Sequence, residues 1–287
     1  MMVKKYIWTL WWQGEQNAPE LVKKCFFNMK KYSNGAEVVV LDKTNYRDYI
    51  EIPEIINRKF NEGKITITHL SDIIRFLLLK KYGGLWLDST IYISDYIQDD
   101  IFNYDFFSIK NGTYDKKNIS QNRWTSFLIG GEAGNVVFDE VLNMFITYWE
   151  KNDELACYFL VDFYLNQEYK NSKLFRTQIA TLPDYNGNIF EMENNLKSIN
   201  DIENISFSGT FQKLNWRFQE KTSRFKKIKS LGKHIRKLFD VKRIETWGIR
   251  FVCIDFLNAI FNSYNSCLAI KIAKKYNEYV ENMDIYY

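Results

Sequence analysis

The sequence is poor in proline, histidine and cysteine, and it lacks a long apolar run. Its 287 residues include 3 prolines, 2 histidines and 4 cysteines. The scarcity of proline, with no Gly/Ser-rich or Pro-rich tract, argues against linkers and disorder. The cysteines are too far apart for a metal knuckle and are typical of buried thiols in a reducing compartment; they are Cys25, Cys157, Cys253 and Cys267.

Two further absences concern targeting. No apolar stretch approaches the roughly 18 residues of a membrane-spanning helix. The amino-terminal residues have two lysines and a short apolar run, but no apolar core followed by a small-residue cleavage site. We therefore expect a cytoplasmic protein without a signal peptide.

Apolar and aromatic residues are plentiful, and the charge is unevenly spread. Apolar residues make up 46% of the chain and aromatic residues 17%, which is enough for a sizeable core. The net charge is only +4, yet residues 221–243 alone carry +9, so the rest of the chain sums to −5. That basic tract needs an explanation separate from that of the main domain.

Strand-like and helix-like patterns alternate through the first two-thirds of the chain. This alternation predicts an α/β domain with a mostly parallel sheet flanked by helices over residues 1–218, followed by a helical region at 219–287. Ligands bind such sheets beyond the carboxyl ends of the strands. Asp42 and Asp88 both follow predicted strands, so we expect them at that edge.

Asp88 ends the stretch "GGLWLD" and is the first candidate for chemistry. A buried strand that delivers a carboxylate to its exposed end is a common way to present a metal ligand. The alternative is an ordinary strand end, because Asp and Ser are good turn residues.

Asp72 and Arg75 lie three residues apart, on one face of a predicted helix that is apolar nearly all round. A buried carboxylate and a buried guanidinium must pair with each other or with a ligand. Asp162 poses a similar question, since it lies between Val161 and Phe163. It either pairs with a core arginine, such as Arg123 or Arg176, or lies beneath the reacting carbon of a substrate or binds the acceptor.

The stretch "THLSDIIRFLLLKKYGGLWLDST" (68–90) resembles the signature of glycosyltransferases with the nucleotide-sugar-binding GT-A fold, especially the capsular polysaccharide synthesis glycosyltransferases. More distantly, it is similar to sugar transferases with a D-x-D motif, including the large glucosylating toxins. Further fragments carry the same resemblance, which covers about residues 5 to 217; they are "IWTLWWQGEQNAPELVKKC", "DFFSIK", "RWTSFLIGG", "YFLVDF" and "KLNWR".

The resemblance implies a divalent cation, Mn²⁺ or Mg²⁺, held against the diphosphate of the donor. Thr90 stands where the second aspartate of D-x-D would be, as it tends to in the capsular group. The implied metal ligands are Asp88, Thr90 and Asn215, which would complete an octahedral shell with phosphate oxygens and water. With one carboxylate fewer, the site should bind the free metal weakly and rely on the nucleotide to bring it.

The resemblance also implies a donor site for a nucleotide diphosphate sugar, with UDP as the nucleotide. Asp72 would accept hydrogen bonds from sugar hydroxyls, and the Arg75 guanidinium would contact the sugar or the phosphates. Catalytic roles would fall to Asp72, Arg75, Asp88 and Asp162. The remaining predicted donor-site residues are Trp8, Trp11, Gln13, Gly14, Asp42, His69, Gly84, Ser89, Thr90, Lys213 and Trp216.

Several of these residues have ordinary structural alternatives. Tryptophans in a buried strand are more often core than base platforms, and a lone histidine at a helix start is most often structural. Lys213 either neutralises phosphate charge or is an exposed cation of an amphipathic strand.

The basic tract, residues 221–243, has its apolar residues at helical spacing with cations on the other faces. Such a helix can lie on an anionic bilayer, or it can pack on the catalytic domain with a solvated basic face. Nucleic acid is a third partner, which we disfavour because the aromatic residues are not interleaved with the cations.

The combined expectation is a retaining, metal-assisted hexosyltransferase or N-acetylhexosaminyltransferase that is cytoplasmic and peripheral at the membrane. Its acceptor would be a surface polysaccharide or a lipid-linked oligosaccharide. The competing hypotheses are a non-catalytic nucleotide- or glycan-binding protein and a basic membrane- or RNA-associated scaffold.

Overall fold

A computed structural model of the chain describes residues 4–110, 118–184 and 187–218. The chain divides into two compact units. One comprises Met1–Asn195 and Asn204–Phe218, and the other Leu196–Glu203 and Gln219–Tyr287. The first unit carries the sheets and the candidate site. The basic tract and the rest of the predicted carboxyl-terminal region lie outside the described residues.

The described residues alternate between strands and helices, as the sequence predicts. The strands are β1 (Tyr6–Leu10), β2 (Glu37–Leu41), β3 (Gly84–Leu87), β4 (Ile91–Ile93), β5 (Phe106–Ser108), β6 (Leu128–Gly131) and β7 (Phe211–Lys213). The α-helices are α1 (Glu20–Lys31), α2 (Glu54–Asn61), α3 (Ile67–Tyr82), α4 (Val136–Lys151), α5 (Leu160–Asn171), α6 (Lys173–Thr181) and α7 (Glu191–Asn195). Short 3-10 helices cover Glu15–Asn17, Tyr46–Asp48, Asp99–Asn103 and Ile199–Asn204.

The central sheet has the strand order β2-β1-β3-β6-β5. Strand β1 pairs in parallel with both β2 and β3, whereas β6 is antiparallel to both of its neighbours. Every strand of this sheet except β6 therefore runs in one direction. The predicted α/β fold with a mostly parallel sheet flanked by helices is confirmed.

A second, two-stranded sheet is formed by β4 and β7. These strands are antiparallel, with Ile91 opposite Lys213. Leu214 continues the ladder, because its N–H donates to the carbonyl of Thr90 at 3.0 Å. The pairing brings the end of the first unit alongside the residues that follow β3.

Helix α3 has clear start and stop signals. The Thr66 hydroxyl caps it by accepting from the N–H of His69, and the helix ends at Gly83, whose φ is +64°. A Cβ at Gly83 would lie 2.7 Å from the backbone nitrogen of Ala133, so glycine also permits close packing there. Helix α3 packs against α4, with Phe76 near Phe138 and Phe145.

The sequence pattern predicts one helix with Asn17 as its N-cap and another over residues 154–169, and both predicted starts are wrong. Helix α1 begins at Glu20 with Pro19 as its N-cap, and the Asn17 side chain donates to the carbonyl of Gln13 instead of capping the helix. The predicted helix at 154–169 begins only at Leu160. The Tyr148 hydroxyl donates to the carbonyl of Glu154 and accepts from the N–H of Ala156, so those backbone groups are satisfied without a helix.

The core of the first unit is rich in aromatic side chains. Among the largest fully buried ones are Trp8, Trp86, Trp124 and Trp149. In the part of the chain that the structure describes, no helix is long and apolar enough to cross a bilayer.

Candidate functional site

The candidate site lies at the carboxyl edge of the parallel strands. Trp11 follows β1, Asp42 follows β2 and Asp88 follows β3. The Trp11 N–H donates to the carbonyl of Leu41 at 2.9 Å, which continues the β1–β2 pairing beyond the strands. The predicted position of Asp42 and Asp88 at this edge is thus confirmed.

Asp88 is the centre of a charged cluster. One of its oxygens, Oδ1, accepts from Arg75 Nη2 at 3.2 Å and from the Trp86 indole at 3.0 Å. The other, Oδ2, accepts from Lys213 Nζ at 2.9 Å. Burial by itself would raise the pKa of Asp88, but the charges of Lys213 and Arg75 hold that pKa below its usual value. Asp88 is therefore a carboxylate at neutral pH, with 29% of its side chain exposed.

Arg75 joins three segments of the chain. Its guanidinium pairs with Asp72 of its own helix at 3.1 Å, reaches Asp88 and donates to the backbone carbonyl of Ser126. It also lies over the Trp86 ring, 5.0 Å from the centroid. Asp72 and Arg75 thus pair with each other, one of the two alternatives left open by the sequence, and Arg75 also contacts residues outside its helix.

Asp72 has a pKa far from the ordinary value of an aspartate. Its side chain is only 10% exposed. Burial raises its pKa, Arg75 partly opposes this, and the charges of Asp88 and Asp162 raise it further, to about 7. Near neutral pH this carboxyl is therefore divided between its protonated and ionised forms.

Asp162 lies in the first turn of α5 and does not form the arginine pair that was its structural alternative. It accepts from the Trp124 indole at 2.9 Å and from the Ser126 hydroxyl at 3.3 Å, while Arg123 donates to Asn166. Burial raises the pKa of Asp162 to about 6, against these hydrogen bonds. Arg176, the other predicted partner, donates to backbone carbonyls of α5.

Ser126 connects Asp162 to Arg75, because its hydroxyl bonds to the first and its carbonyl to the second. The next residue, Phe127, connects the same segment to Asp88, since its carbonyl accepts from the N–H of Asp88 at 2.9 Å. Sequence reasoning did not assign these residues to the site. The fragment "RWTSFLIGG", which contributes to the family resemblance, is the signal that could have indicated them.

Lys213 bonds to Thr90 and to Oδ2 of Asp88, whereas Arg75 bonds to Oδ1. Thr90 is buried, and its hydroxyl accepts from Lys213 Nζ at 2.8 Å. The same ammonium bonds to Asp88 and lies 5.0 Å from the centroid of the Phe127 ring. Lys213 is thus held on several sides and is not the exposed strand cation of the alternative interpretation. Ser89 lies between Asp88 and Thr90 and is half-buried.

Asp42 and Gly14 come together at the β1–β2 end of the edge. A Cβ placed on Gly14 would lie 3.4 Å from an oxygen of Asp42. The other oxygen of Asp42 accepts from the N–H of Thr44 at 2.7 Å and from the Thr44 hydroxyl, which holds the pKa of Asp42 below its usual value. Gln13 is exposed beside them.

The predicted tryptophans separate into two groups. Trp8 is completely buried, stacks on Tyr6 at 4.6 Å and donates to the carbonyl of Gly83, so its ring presents no surface to a ligand. Trp11, in contrast, meets Trp216 edge-on at 5.9 Å, and Trp216 is 45% exposed. Gly84 is at the far end of β3 from Asp88, where a Cβ would lie 2.5 Å from the carbonyl oxygen of Tyr6.

His69 is buried and lies between two neighbours. Its Nδ1 is 2.7 Å from the Thr66 hydroxyl, and its Nε2 is 3.3 Å from the carbonyl of Tyr158. Burial lowers its pKa, so the ring is neutral at pH 7. These contacts hold Tyr158 beside α3, where burial and the charges of Asp72 and Asp88 raise the pKa of its half-exposed phenol.

The predicted ligands of a divalent ion are engaged with protein groups. Both oxygens of Asp88 and the hydroxyl of Thr90 accept from cationic side chains, and the amide oxygen of Asn215 accepts from the N–H of Arg217 at 2.9 Å. Within residues 4–110, 118–184 and 187–218, no three His, Cys, Asp or Glu side chains are grouped to bind a metal. In this arrangement the residues do not fit a divalent ion bound by all three predicted ligands.

Comparison with known proteins gives a family match over most of the chain. The family described as "Capsular polysaccharide synthesis protein" matches residues 1–235. "O-glycosyltransferase braB" of Annulohypoxylon truncatum is 28% identical over 108 residues, which cover 34% of this chain and 26% of that protein. "Uncharacterized glycosyltransferase L373" of Acanthamoeba polyphaga mimivirus is 26% identical over 149 residues, covering 50% of this chain and 57% of that protein.

The chain therefore spans about a quarter of one of these relatives and somewhat over half of the other. Among solved structures, "PaToxG Glycosyltransferase" superimposes with a TM-score of 0.41 at 16% sequence identity. That superposition covers 70% of this chain and 84% of the other.

Proposed function

This chain belongs to the family of capsular polysaccharide synthesis proteins, and on that premise we propose that it is a glycosyltransferase. Its donor is a nucleotide diphosphate sugar, with UDP as the nucleotide and a hexose or N-acetylhexosamine as the sugar. Its acceptor is a capsular or other surface polysaccharide, free or as a lipid-linked oligosaccharide. Two curated relatives carry the name glycosyltransferase, which supports the class of reaction.

The observation that carries the proposal is the cluster of Asp72, Arg75, Asp88 and Lys213 at the carboxyl edge of the parallel strands. Edges of this kind are where α/β sheets bind ligands. Carboxylates such as Asp72 suit the hydroxyl groups of a sugar, whereas a guanidinium and an ammonium suit phosphate oxygens. Both chemistries are needed for a sugar diphosphate, and here they lie within one hydrogen-bonded group.

The nucleoside would lie toward β1 and β2. Trp11 and Trp216 form an aromatic pair there whose outer ring is partly exposed and able to contact a base. Gly14 and Asp42 line the same edge, without a side chain on Gly14 to fill the space. This arrangement would put the base near the tryptophans and the diphosphate near Lys213.

The transfer itself depends more on positive charge near the diphosphate than on a nucleophilic side chain of the protein. The bond between the anomeric carbon and the diphosphate oxygen breaks, and its electron pair leaves with the diphosphate. The acceptor hydroxyl oxygen forms the new bond to carbon, and its proton passes to the departing diphosphate. Groups that stabilise the growing negative charge lower the barrier. Arg75 and Lys213, which both pair with Asp88, supply positive charge at this place.

Three finer points of the proposal come from the sequence. Retention of anomeric configuration follows from the resemblance to D-x-D sugar transferases. Asp162, whose carboxylate bonds to Trp124 and Ser126, is the group proposed beneath the reacting carbon or at the acceptor. Attachment to an anionic membrane surface is proposed for residues 221–243, which lie outside the described residues.

The test is a panel of nucleotide sugars incubated with the protein, with release of the nucleoside diphosphate as the readout. Asp88→Asn keeps the size of the side chain but removes the charge on which Arg75 and Lys213 converge. Turnover should fall about 100-fold or more, while circular dichroism and the melting curve show a folded protein. Asp139→Asn is the matched control, because Asp139 pairs with Lys80 on the surface of α4.

Two results would contradict the proposal. Full activity in Asp88→Asn would remove this cluster from the reaction. UDP binding by calorimetry, combined with no turnover of any nucleotide sugar, would make the chain a nucleotide-binding protein instead of an enzyme.

A further inference from the structure

Asp88 and Thr90 hold a cation that belongs to the protein itself. The ammonium of Lys213 lies 2.9 Å from Asp88 Oδ2 and 2.8 Å from Thr90 Oγ1. The Lys213 side chain is 16% exposed, so it is enclosed but still reachable from solvent. One anionic oxygen and one hydroxyl oxygen, two residues apart, thus converge on a single positive group.

The position of Lys213 is set by the backbone as well as by its ammonium. Strand β7 pairs with β4 so that Lys213 stands opposite Ile91, immediately after the Asp88–Thr90 turn. The N–H of Leu214 donates to the carbonyl of Thr90. Because a ladder fixes both residues, the lysine reaches Asp88 and Thr90 by a short, defined path.

The charges balance in the same way as in a metal site. Two carboxylates that hold a divalent ion leave no net charge, and one carboxylate that holds one ammonium leaves none either. Thr90, a neutral residue at the position of the second carboxylate, matches a monovalent cation. A divalent ion placed against Asp88 would meet the positive charges of Lys213 and Arg75 at short range, and this repulsion would act on twice the charge.

We propose that Lys213 takes the place of the divalent ion, so that its ammonium, held by Asp88 and Thr90, binds the diphosphate of the donor and transfer needs no metal. An ammonium has three N–H donors and two are used by Asp88 and Thr90, which leaves the third for a phosphate oxygen. Arg75 supplies the second positive charge. This inference rests on the proposed function, in that it names the group that meets the donor.

The first experiment compares the initial rates of donor turnover in EDTA and in Mn²⁺. The rate of the wild-type protein should agree within about twofold in the two conditions. Lys213→Ala should lose about 100-fold or more in both, as expected when a preorganised donor to the departing group is removed. Lys80→Ala, which removes the exposed lysine of α3 that pairs with Asp139 of α4, should keep the wild-type rate. A wild-type rate that falls tenfold or more in EDTA and returns with Mn²⁺ would overturn the inference.

The second experiment does not depend on turnover. Mn²⁺ is titrated into the protein with and without UDP and followed by electron paramagnetic resonance. The wild-type protein should hold no more Mn²⁺ than UDP alone holds. The double variant Thr90→Asp, Lys213→Ala has two carboxylates and no ammonium, and it should bind Mn²⁺ at least tenfold more tightly.

The two proposals can fail separately. If no donor is turned over in any condition, the proposed function fails, and the Mn²⁺ titration still decides the role of Lys213. Saturable Mn²⁺ binding to the wild-type protein would overturn the metal-free inference even if transfer is demonstrated. The wild-type titration needs no variant, so a double variant that does not fold leaves the inference testable.

Discussion

Replacing Asp72 by asparagine should change how the stability of the protein depends on pH. Asp72 is buried beside Arg75, and its pKa is raised from an ordinary 3.8 to about 7 in the folded protein. Well below pH 3.8 the carboxyl is protonated in both the folded and the unfolded chain, so its ionisation does not change the free energy of unfolding. As pH rises toward 7 the unfolded chain ionises freely while the folded protein resists, so stability falls.

The size of the effect follows from the pKa values. Each pH unit between the two pKa values contributes about 1.4 kcal/mol. From pH 5 to pH 7 the wild-type protein should therefore lose about 2 kcal/mol of unfolding free energy through Asp72 alone, because the folded carboxyl is already half ionised at pH 7. Asp72→Asn removes the ionisation and with it this loss. The lost contact with Arg75 lowers the stability of the variant at both pH values.

The assay is urea unfolding of both proteins at pH 5 and pH 8, followed by tryptophan fluorescence. The stability of Asp72→Asn relative to wild type should rise by about 3 kcal/mol between the two pH values. Asp139→Asn, which alters an exposed ion pair, should change stability by less than about 1 kcal/mol at either pH. If Asp72→Asn and the wild-type protein lose stability in parallel, Asp72 is ionised without penalty and the electrostatic reasoning about the cluster is wrong.

Two further predictions concern glycine packing and the aromatic pair. Gly84→Ala should destabilise the protein by more than the roughly 1–3 kcal/mol of backbone strain alone, because its Cβ would lie 2.5 Å from the Tyr6 carbonyl oxygen. The control is Gly35→Ala. Gly35 also has a positive φ but has open space around it, so this variant should show the backbone strain only. Equal losses in urea unfolding would contradict this. Trp216→Ala should weaken UDP binding, measured by calorimetry, by up to about tenfold, the loss expected for one aromatic contact. Phe27→Ala, which removes an exposed aromatic ring of α1, should leave the affinity for UDP unchanged. An unaltered affinity in Trp216→Ala would place the base elsewhere.

The local part of the site could be predicted from sequence. The helix with Asp72 and Arg75, the glycines that end it and the strand that leads to Asp88 are contiguous in sequence. Each has its own signal: helical spacing for the helix, a glycine pair that can adopt positive φ for its end, and a short apolar run for the strand. The partners of Asp88 could not be predicted in the same way. Lys213 is 125 residues away, and the strand that places it has only three residues, too few for a periodic pattern.

Backbone atoms account for other omissions. Ser126 contacts Arg75 through its backbone carbonyl, which every residue has, so its residue type does not predict this contact. The late start of α5 has a similar cause, since the hydroxyl of Tyr148 satisfies backbone groups that a helix would otherwise have used. Trp8 follows the general tendency of strand tryptophans to be buried, whereas Trp11, just beyond the strand end, meets Trp216 at the edge.

The sheet has two unlike ends, and this difference bears on engineering. At the amino end of β3 the neighbouring strands approach so closely that a methyl group on Gly84 or Gly130 would lie within 2.7 Å of a backbone oxygen. The carboxyl end has instead half-exposed side chains such as Ser89 and Trp216. A mutant library intended to change the sugar or nucleotide of the proposed donor should therefore randomise the carboxyl end and leave both glycines intact.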